Sequence, residues 1–273
     1  MKPWLIKLGG AALTHPDAVR NLAQAIVLLK EKGEDVVVVH GGGPMINKRL
    51  TDKNISWTFH EGQRVTTFEM MAEIELALGE VNHMICEVFS EYGIKNMGIP
   101  GNTNGMFFCR PMNTNLGHVG EVIKVNSEIV KDALTMNFVP VIAPIGVDLE
   151  GLSYNLNADW GASTLASDLG AKVLIYATDQ RGILDCNGLP YDSLTLSQLK
   201  ILMEKGGVTG GMLAKSRSIE QALLHGVKKV CVTHALEMKE LIETRFGGTL
   251  CVEMGRLELA MKMKMTENNY AVS

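Results

Sequence analysis

Short apolar runs alternate with longer stretches of helical period along most of the chain. The runs at 4–8, 36–40, 95–98, 139–144, 172–178, 228–233 and 249–252 predict strands. Between them, helical spacing predicts helices over 17–32, 44–53, 66–92, 127–136, 158–169, 196–205, 211–225 and 236–246. Runs without polar alternation belong to strands covered on both faces. The pattern therefore predicts an α/β protein, a three-layer sandwich with a central, mostly parallel sheet and right-handed crossovers.

Punctuation supports these bounds. Gly33 follows Lys30, Glu31 and Lys32 as a helix stop, and Gly170 and Gly226 close two later helices. Asn157 is placed to cap the helix from 158, with Asp159 in its first turn. The alternation breaks between 98 and 125, where 106–110 and 117–124 read as hairpin material for a lid or side sheet. Gly-containing turns at 148–153 and 185–190 predict further hairpins. A soft boundary at 145–153 divides the chain into an N-terminal lobe, 1–150, and a C-terminal lobe, 151–255. A tail, 256–273, follows.

The 273 residues are 46% hydrophobic and 21% charged, with a net charge of −4. That balance gives no electrostatic footprint for nucleic acid. No apolar run approaches the roughly 20 residues that span a bilayer, and Lys7 with its glycines interrupts any secretion signal. The five cysteines are odd in number, widely spaced and without a C-x-x-C pair. Reduced thiols in a cytoplasmic protein are expected.

Two glycine clusters change the picture. Gly9 and Gly10 close the first apolar run, and Gly41, Gly42 and Gly43 close the second. Each opens onto a helix. Glycine lets backbone N–H groups approach a ligand, and the helix start adds its positive end, so both loops suit anionic groups. Lys7 adds a full charge, and a buried cation at a strand end needs an anion to offset its desolvation. Phosphate chemistry is the expectation. There is no P-loop, no G-x-G-x-x-G, no zinc spacing and no nucleophile elbow.

Further polar residues stand at strand ends and helix starts, the positions that face the ligand crevice of an open α/β sheet. They are Arg64, Asn155, Asn157, Asp159, Asp179 and Lys215. Singly, each has an ordinary role as cap, dipole partner or solvated charge. Their joint occurrence points to one site.

These pieces, in this order, resemble the amino-acid kinase family and its acetylglutamate branch. The resemblance covers about 4–253. Its motifs are Lys7-Leu8-Gly9-Gly10, His40-Gly41-Gly42-Gly43, Gly62-Gln63-Arg64-Val65-Thr66, Leu116-Gly117-His118-Val119-Gly120, Asn155-Leu156-Asn157-Ala158-Asp159, Thr178-Asp179-Gln180-Arg181-Gly182-Ile183-Leu184-Asp185 and Gly210-Gly211-Met212-Leu213-Ala214-Lys215. It implies the amino-acid kinase fold and ATP-dependent phosphorylation of the γ-carboxylate of N-acetyl-L-glutamate. By the same resemblance, Lys7 and Lys215 approach the transferring phosphoryl group and Asp159 holds both. Gly9 and Gly10 bind phosphate, and Gly42, Gly43, Arg64 and Asn155 hold the acyl amino acid. Asp179, Gly182, Ile183, Leu184, Thr209 and Gly211 border the nucleotide. Mg²⁺ arrives on ATP, with no separate protein metal site.

The chemistry agrees with the residue set. A carboxylate nucleophile needs no general base, whereas its repulsion from a triphosphate needs opposing charge. Thr67, Glu80, 101–105 and Trp160 depart from the family pattern. They keep open a kinase for another N-acylated amino acid, or a non-catalytic sensor on the same fold. The chain opens directly at its first strand, without the N-terminal helix of hexameric relatives, so a homodimer without arginine feedback is expected. The helix at 66–92 is either a dimer surface or buried in its own lobe.

Overall fold

The computed structural model describes residues 2–60, 62–244 and 247–253. The tail at 256–273 and the end of the last expected helix at 246 lie outside the described residues.

In chain order the elements begin with β1 (Trp4–Leu8), α1 (Ala18–Glu31), β2 (Val36–His40) and α2 (Gly43–Asp52). A short hairpin, β3 (Phe59–His60) and β4 (Gln63–Arg64), leads into the long α3 (Phe68–Glu91). Next come β5 (Asn96–Pro100), β6 (Phe107–Pro111), β7 (Gly120–Val125) and α4 (Glu128–Thr135). They are followed by β8 (Val139–Ala143), β9 (Ile145–Val147), β10 (Ser153–Asn155), α5 (Ala158–Asp168) and β11 (Val173–Thr178). The described chain ends with β12 (Ser193–Thr195), α6 (Leu196–Glu204), α7 (Gly210–Leu224), β13 (Lys229–His234), α8 (Met238–Thr244) and β14 (Thr249–Val252).

Eight strands form one sheet in the order β12-β14-β13-β11-β1-β2-β8-β5. Every neighbouring pair is parallel except β13 with β14. The sheet crosses the expected lobe boundary, because β1 pairs on one side with β2 and on the other with β11. Alternate residues of β1 enter opposite cores. Ile6 and Leu8 pack with α1, α3 and α8, whereas Leu5 joins a core shared with α4, α5, α6 and α7. Lys7 shares the parity of Leu5, so it points toward the α5–α7 layer.

A second sheet of order β10-β9-β6-β7 stands beside the first. Its β6–β7 pair is the hairpin expected from 106–110 and 117–124, with a register shift between Phe108 and Cys109. The turn at 148–153 joins β9 to β10 antiparallel, and that at 185–190 brings Leu184 opposite Pro190. The apolar run at 139–144 holds a change that periodicity does not reveal. Pro144 has no N–H to continue a ladder, so β8 ends at Ala143 and β9 enters the other sheet. The expected helix at 66–92 starts later, at Phe68, because Thr67 is extended and its hydroxyl accepts from the Met70 N–H.

Candidate active site

Because β1, β2 and β11 run parallel, their C-terminal ends open side by side. The glycine loops lie there against each other. The Gly9 N–H donates to the Ala177 carbonyl at 2.7 Å, and the Gly41 N–H to the Leu8 carbonyl at 2.8 Å. A Cβ built on Gly42 would lie 2.6 Å from Leu78 Cδ2. The α2 helix then starts at Gly43, turning its positive end toward the opening.

Asp159 lines the same opening from the first turn of α5. The Asn157 side chain accepts from the N–H groups of Asp159 and Trp160 and fixes that turn. Lys7 Nζ is 2.7 Å from Asp159 Oδ1, and Lys215 Nζ is 2.9 Å from Oδ2. All three side chains are buried. Burial alone would raise the Asp159 pKa. Lys215 and Lys7 outweigh that effect and hold the carboxyl well below the usual range. Burial lowers the Lys7 pKa, with Asp159 opposing that shift and Lys215 adding to it. The expected pairing of two lysines through one acid is therefore present in the fold.

Arg64 is buried on β4 rather than solvated ahead of a helix. Its guanidinium carbon lies 4.8 Å from the Phe59 ring centroid and 5.7 Å from that of Trp57. One terminal nitrogen, Nη2, donates to Asn47 Oδ1. The other, Nη1, is buried without a hydrogen-bond partner. Burial lowers the pKa of Arg64 to about 10, which still leaves it charged at neutral pH. The Asn155 amide donates to Thr66 Oγ1 at 3.1 Å, and that hydroxyl donates to the Arg64 carbonyl at 2.9 Å.

These groups surround a cleft of about 420 Å³. Lys7, Gly10, Gly42, Gly43, Arg64, Asn155, Asp159 and Gly211 all line it, alongside Gly41 and Asn157. Lys215 meets its floor through Asp159. Gly9, Asp179, Gly182, Ile183, Leu184 and Thr209 stand outside this lining. Asp179 follows β11, where its charge still acts on Lys7. Ile183 is fully buried, and its N–H donates to Thr249 Oγ1 at 2.9 Å. Thr209 and Gly211 lie at the exposed start of α7.

Sequence reasoning missed Asn47, which holds the Arg64 guanidinium, and Tyr176, whose ring centroid lies 4.9 Å from Lys215 Nζ. Asn47 comes four residues after Gly43, so it shares the helix face that the glycine loop presents. Tyr176 has the same strand parity as Thr178 and sits beside Lys7 in register. Both signals were available, but an Asn inside a helix and a Tyr inside an apolar run each have ordinary structural uses. Among the described residues no group of three or more His, Cys, Asp or Glu is arranged to hold a metal ion. Nor is any described helix long and apolar enough to cross a membrane.

Comparison with known proteins shows the family. The model of the amino acid kinase family matches residues 2–234. Acetylglutamate kinase of Aquifex aeolicus is 37% identical over 247 residues, covering 84% of this chain and 83% of that protein. Acetylglutamate kinase of Methanocaldococcus jannaschii is 37% identical over 267 residues, covering 90% and 89%. Among solved structures, N-acetylglutamate synthase of Neisseria gonorrhoeae, complexed with coenzyme A and N-acetyl-glutamate, is similar with a TM-score of 0.82 at 20% identity. That match covers 93% of this chain but 60% of the other, and at this identity it is a likeness of fold alone.

Proposed function

This chain belongs to the amino acid kinase family, and from that premise we propose that its cleft transfers the γ-phosphoryl group of ATP to the γ-carboxylate of N-acetyl-L-glutamate. It is a phosphotransferase with a carboxylate acceptor, acting in arginine biosynthesis. A carboxylate oxygen attacks the γ-phosphorus while the bond to the β–γ bridging oxygen breaks. ADP leaves with that electron pair, and the product is an acyl phosphate. No proton moves, so no side chain has to act as a base.

The observation that carries this reading is the meeting of Lys7 and Lys215 on Asp159 at the cleft floor. They come from β1 and α7, at opposite ends of the sequence. Two ammonium groups there offset the repulsion between an anionic nucleophile and a triphosphate. One shared carboxylate holds them apart from each other and keeps them in place.

In this reading Arg64 binds a substrate carboxylate, for which its unpartnered Nη1 is a buried donor ready to pair. Gly42, Gly43 and Asn155 complete the amino-acid side. Gly9 and Gly10 cradle phosphate, and Asp179, Gly182, Ile183, Leu184, Thr209 and Gly211 border the nucleotide. The acyl amino acid occupies the lobe of 1–150, with Asn155 reaching it from the other lobe, and the nucleotide that of 151–255. Magnesium fits as a passenger on the triphosphate, since the Asp159 carboxylate already meets two lysines. Bound there, it withdraws charge from the β- and γ-phosphates.

A homodimer belongs to the same reading. β5 is an edge strand of the large sheet, and Leu76 on the neighbouring α3 is exposed. A cytoplasmic location accords with five free cysteines. Light scattering tests the dimer. A coupled ADP-release assay tests the function, with N-acetyl-L-glutamate beside its shorter and longer N-acetylated homologues. Release dependent on N-acetyl-L-glutamate is expected. Release with only a longer homologue, or tight binding without release, overturns the assignment.

A further inference from the structure

We propose that Tyr176 is a positioning residue for phosphoryl transfer: its ring face seats the Lys215 ammonium, and its hydroxyl, pinned by Ser218 and the Asp159 carbonyl, fixes where that face lies. This inference rests on the phosphotransfer reading above.

Tyr176 is completely buried and pairs in register with Lys7 across the sheet. Lys215 Nζ lies 4.9 Å from its ring centroid. The electron-rich face of a ring attracts a cation at that distance, and more strongly where water is excluded. The hydroxyl is 2.8 Å from Ser218 Oγ and 3.3 Å from the Asp159 carbonyl oxygen. Ser218 Oγ in turn donates to the Lys215 carbonyl at 2.8 Å. The contacts close a circuit. Lys215 carries on its own helix the serine that orients the tyrosine, and the acid that grips its ammonium also touches the tyrosine through its backbone.

The charge balance explains the use of an aromatic group. Lys215 is faced by Asp159 from α5, by Lys7 from β1 and by the Tyr176 ring from β11. One carboxylate thus binds two ammonium groups, while the charge of Asp179 acts on Lys7. A further acid against Lys215 would repel both anionic substrates. The ring supplies partial negative charge to Lys215 without adding a net charge. Its packing also limits where the ammonium can go when phosphate enters.

Kinetics of Tyr176→Phe, followed by a series with increasingly fluorinated phenylalanines at 176, test the proposal. Fluorine drains the ring face while nearly preserving ring shape. Tyr176→Phe, which frees the ring from Ser218 and the Asp159 carbonyl, is expected to lower kcat about threefold, less than the loss of the ring's charge. Across the series kcat is expected to fall about tenfold, with KM for both substrates changing less than about twofold. Thermal denaturation identifies the folded members, and the lightly fluorinated ones carry the trend if the most fluorinated does not fold. The ring-current shift of the Lys215 ε-methylene protons is expected to shrink in step. An unchanged kcat across folded members overturns the proposal, as does a Tyr176→Phe loss equal to that of the most fluorinated member. Wild-type protein that phosphorylates no N-acetyl-L-glutamate overturns the functional reading instead.

Discussion

The backbone of Gly41 rests directly on that of Gly10: a Cβ added to Gly41 would lie 2.7 Å from the Gly10 nitrogen and 3.1 Å from its Cα. The atoms it would meet are main chain, which cannot rotate aside. Gly41→Ala is therefore expected to cost about 1–3 kcal/mol in urea denaturation, the scale of overpacking. It should also lower kcat/KM, because the two loops separate. Gly43→Ala is the contrast. Its added methyl meets nothing within 4 Å, so stability should stay within about 0.5 kcal/mol of wild type. Equal stability of Gly41→Ala and wild type would refute the close packing of the loops.

Removing either ammonium should act on the chemical step. Lys7→Ala and Lys215→Ala are each expected to lower kcat about 10²–10³-fold, the scale for losing a group that stabilises developing charge. Each variant leaves Asp159 with its other lysine. Asp159→Asn leaves both buried ammonium groups without their shared anion, so it should also destabilise the fold by about 3–5 kcal/mol. Steady-state kinetics with urea melts separate the two effects. Wild-type kcat in either alanine variant contradicts the assigned role.

Arg64 should govern binding more than turnover. Its Nη1 is buried without a partner, while Phe59, Trp57 and Asn47 hold the rest of the group. Arg64→Ala is expected to raise KM for the acyl amino acid about 10²-fold with kcat within about threefold. Arg64→Lys should recover little of this, because an ammonium cannot present a planar fork. An unchanged KM in the alanine variant removes the clamp.

The legible part of this architecture was the part controlled by local sequence. Apolar runs such as 4–8 and 249–252 coincide with β1 and β14, and Asn157 caps α5 as its position implied. Lys7, Asp159 and Lys215 were legible as candidates because charged or capping residues at strand ends and helix starts face the crevice. Their meeting needed the family resemblance, since no local rule brings position 7 to position 215. The β3–β4 hairpin stayed hidden because its strands have two residues each, too few to show a period. The aromatic seat of Arg64 stayed hidden with it. Tyr176 looked like one more apolar residue in a buried strand. Its function depends on what α7 lays across it, and that is a tertiary fact.

His40 links stability to pH. Asn82 Nδ2 lies 3.1 Å from His40 Nε2 and can only donate, so the ring proton sits on Nδ1, 2.8 Å from the Gly41 carbonyl oxygen. Burial lowers the pKa of His40 from 6.5 to about 4; the Gly41 carbonyl opposes that shift, and the charge of Lys7 adds to it. Below 6.5 the unfolded chain takes up a proton that the folded ring refuses. Folding stability from this group therefore falls as pH drops from 6.5 toward 4, by about 3 kcal/mol at the lower end. The loss stops once pH is below the folded value, where both states are protonated. Urea melts of wild type at pH 7.0, 5.5 and 4.5 (conditions of roughly this spacing suffice) should show the decline. His40→Asn keeps a polar side chain that does not titrate, so its slope should be shallower by about the same amount. Parallel slopes for the two proteins would mean that His40 is not held neutral beneath the glycine loop.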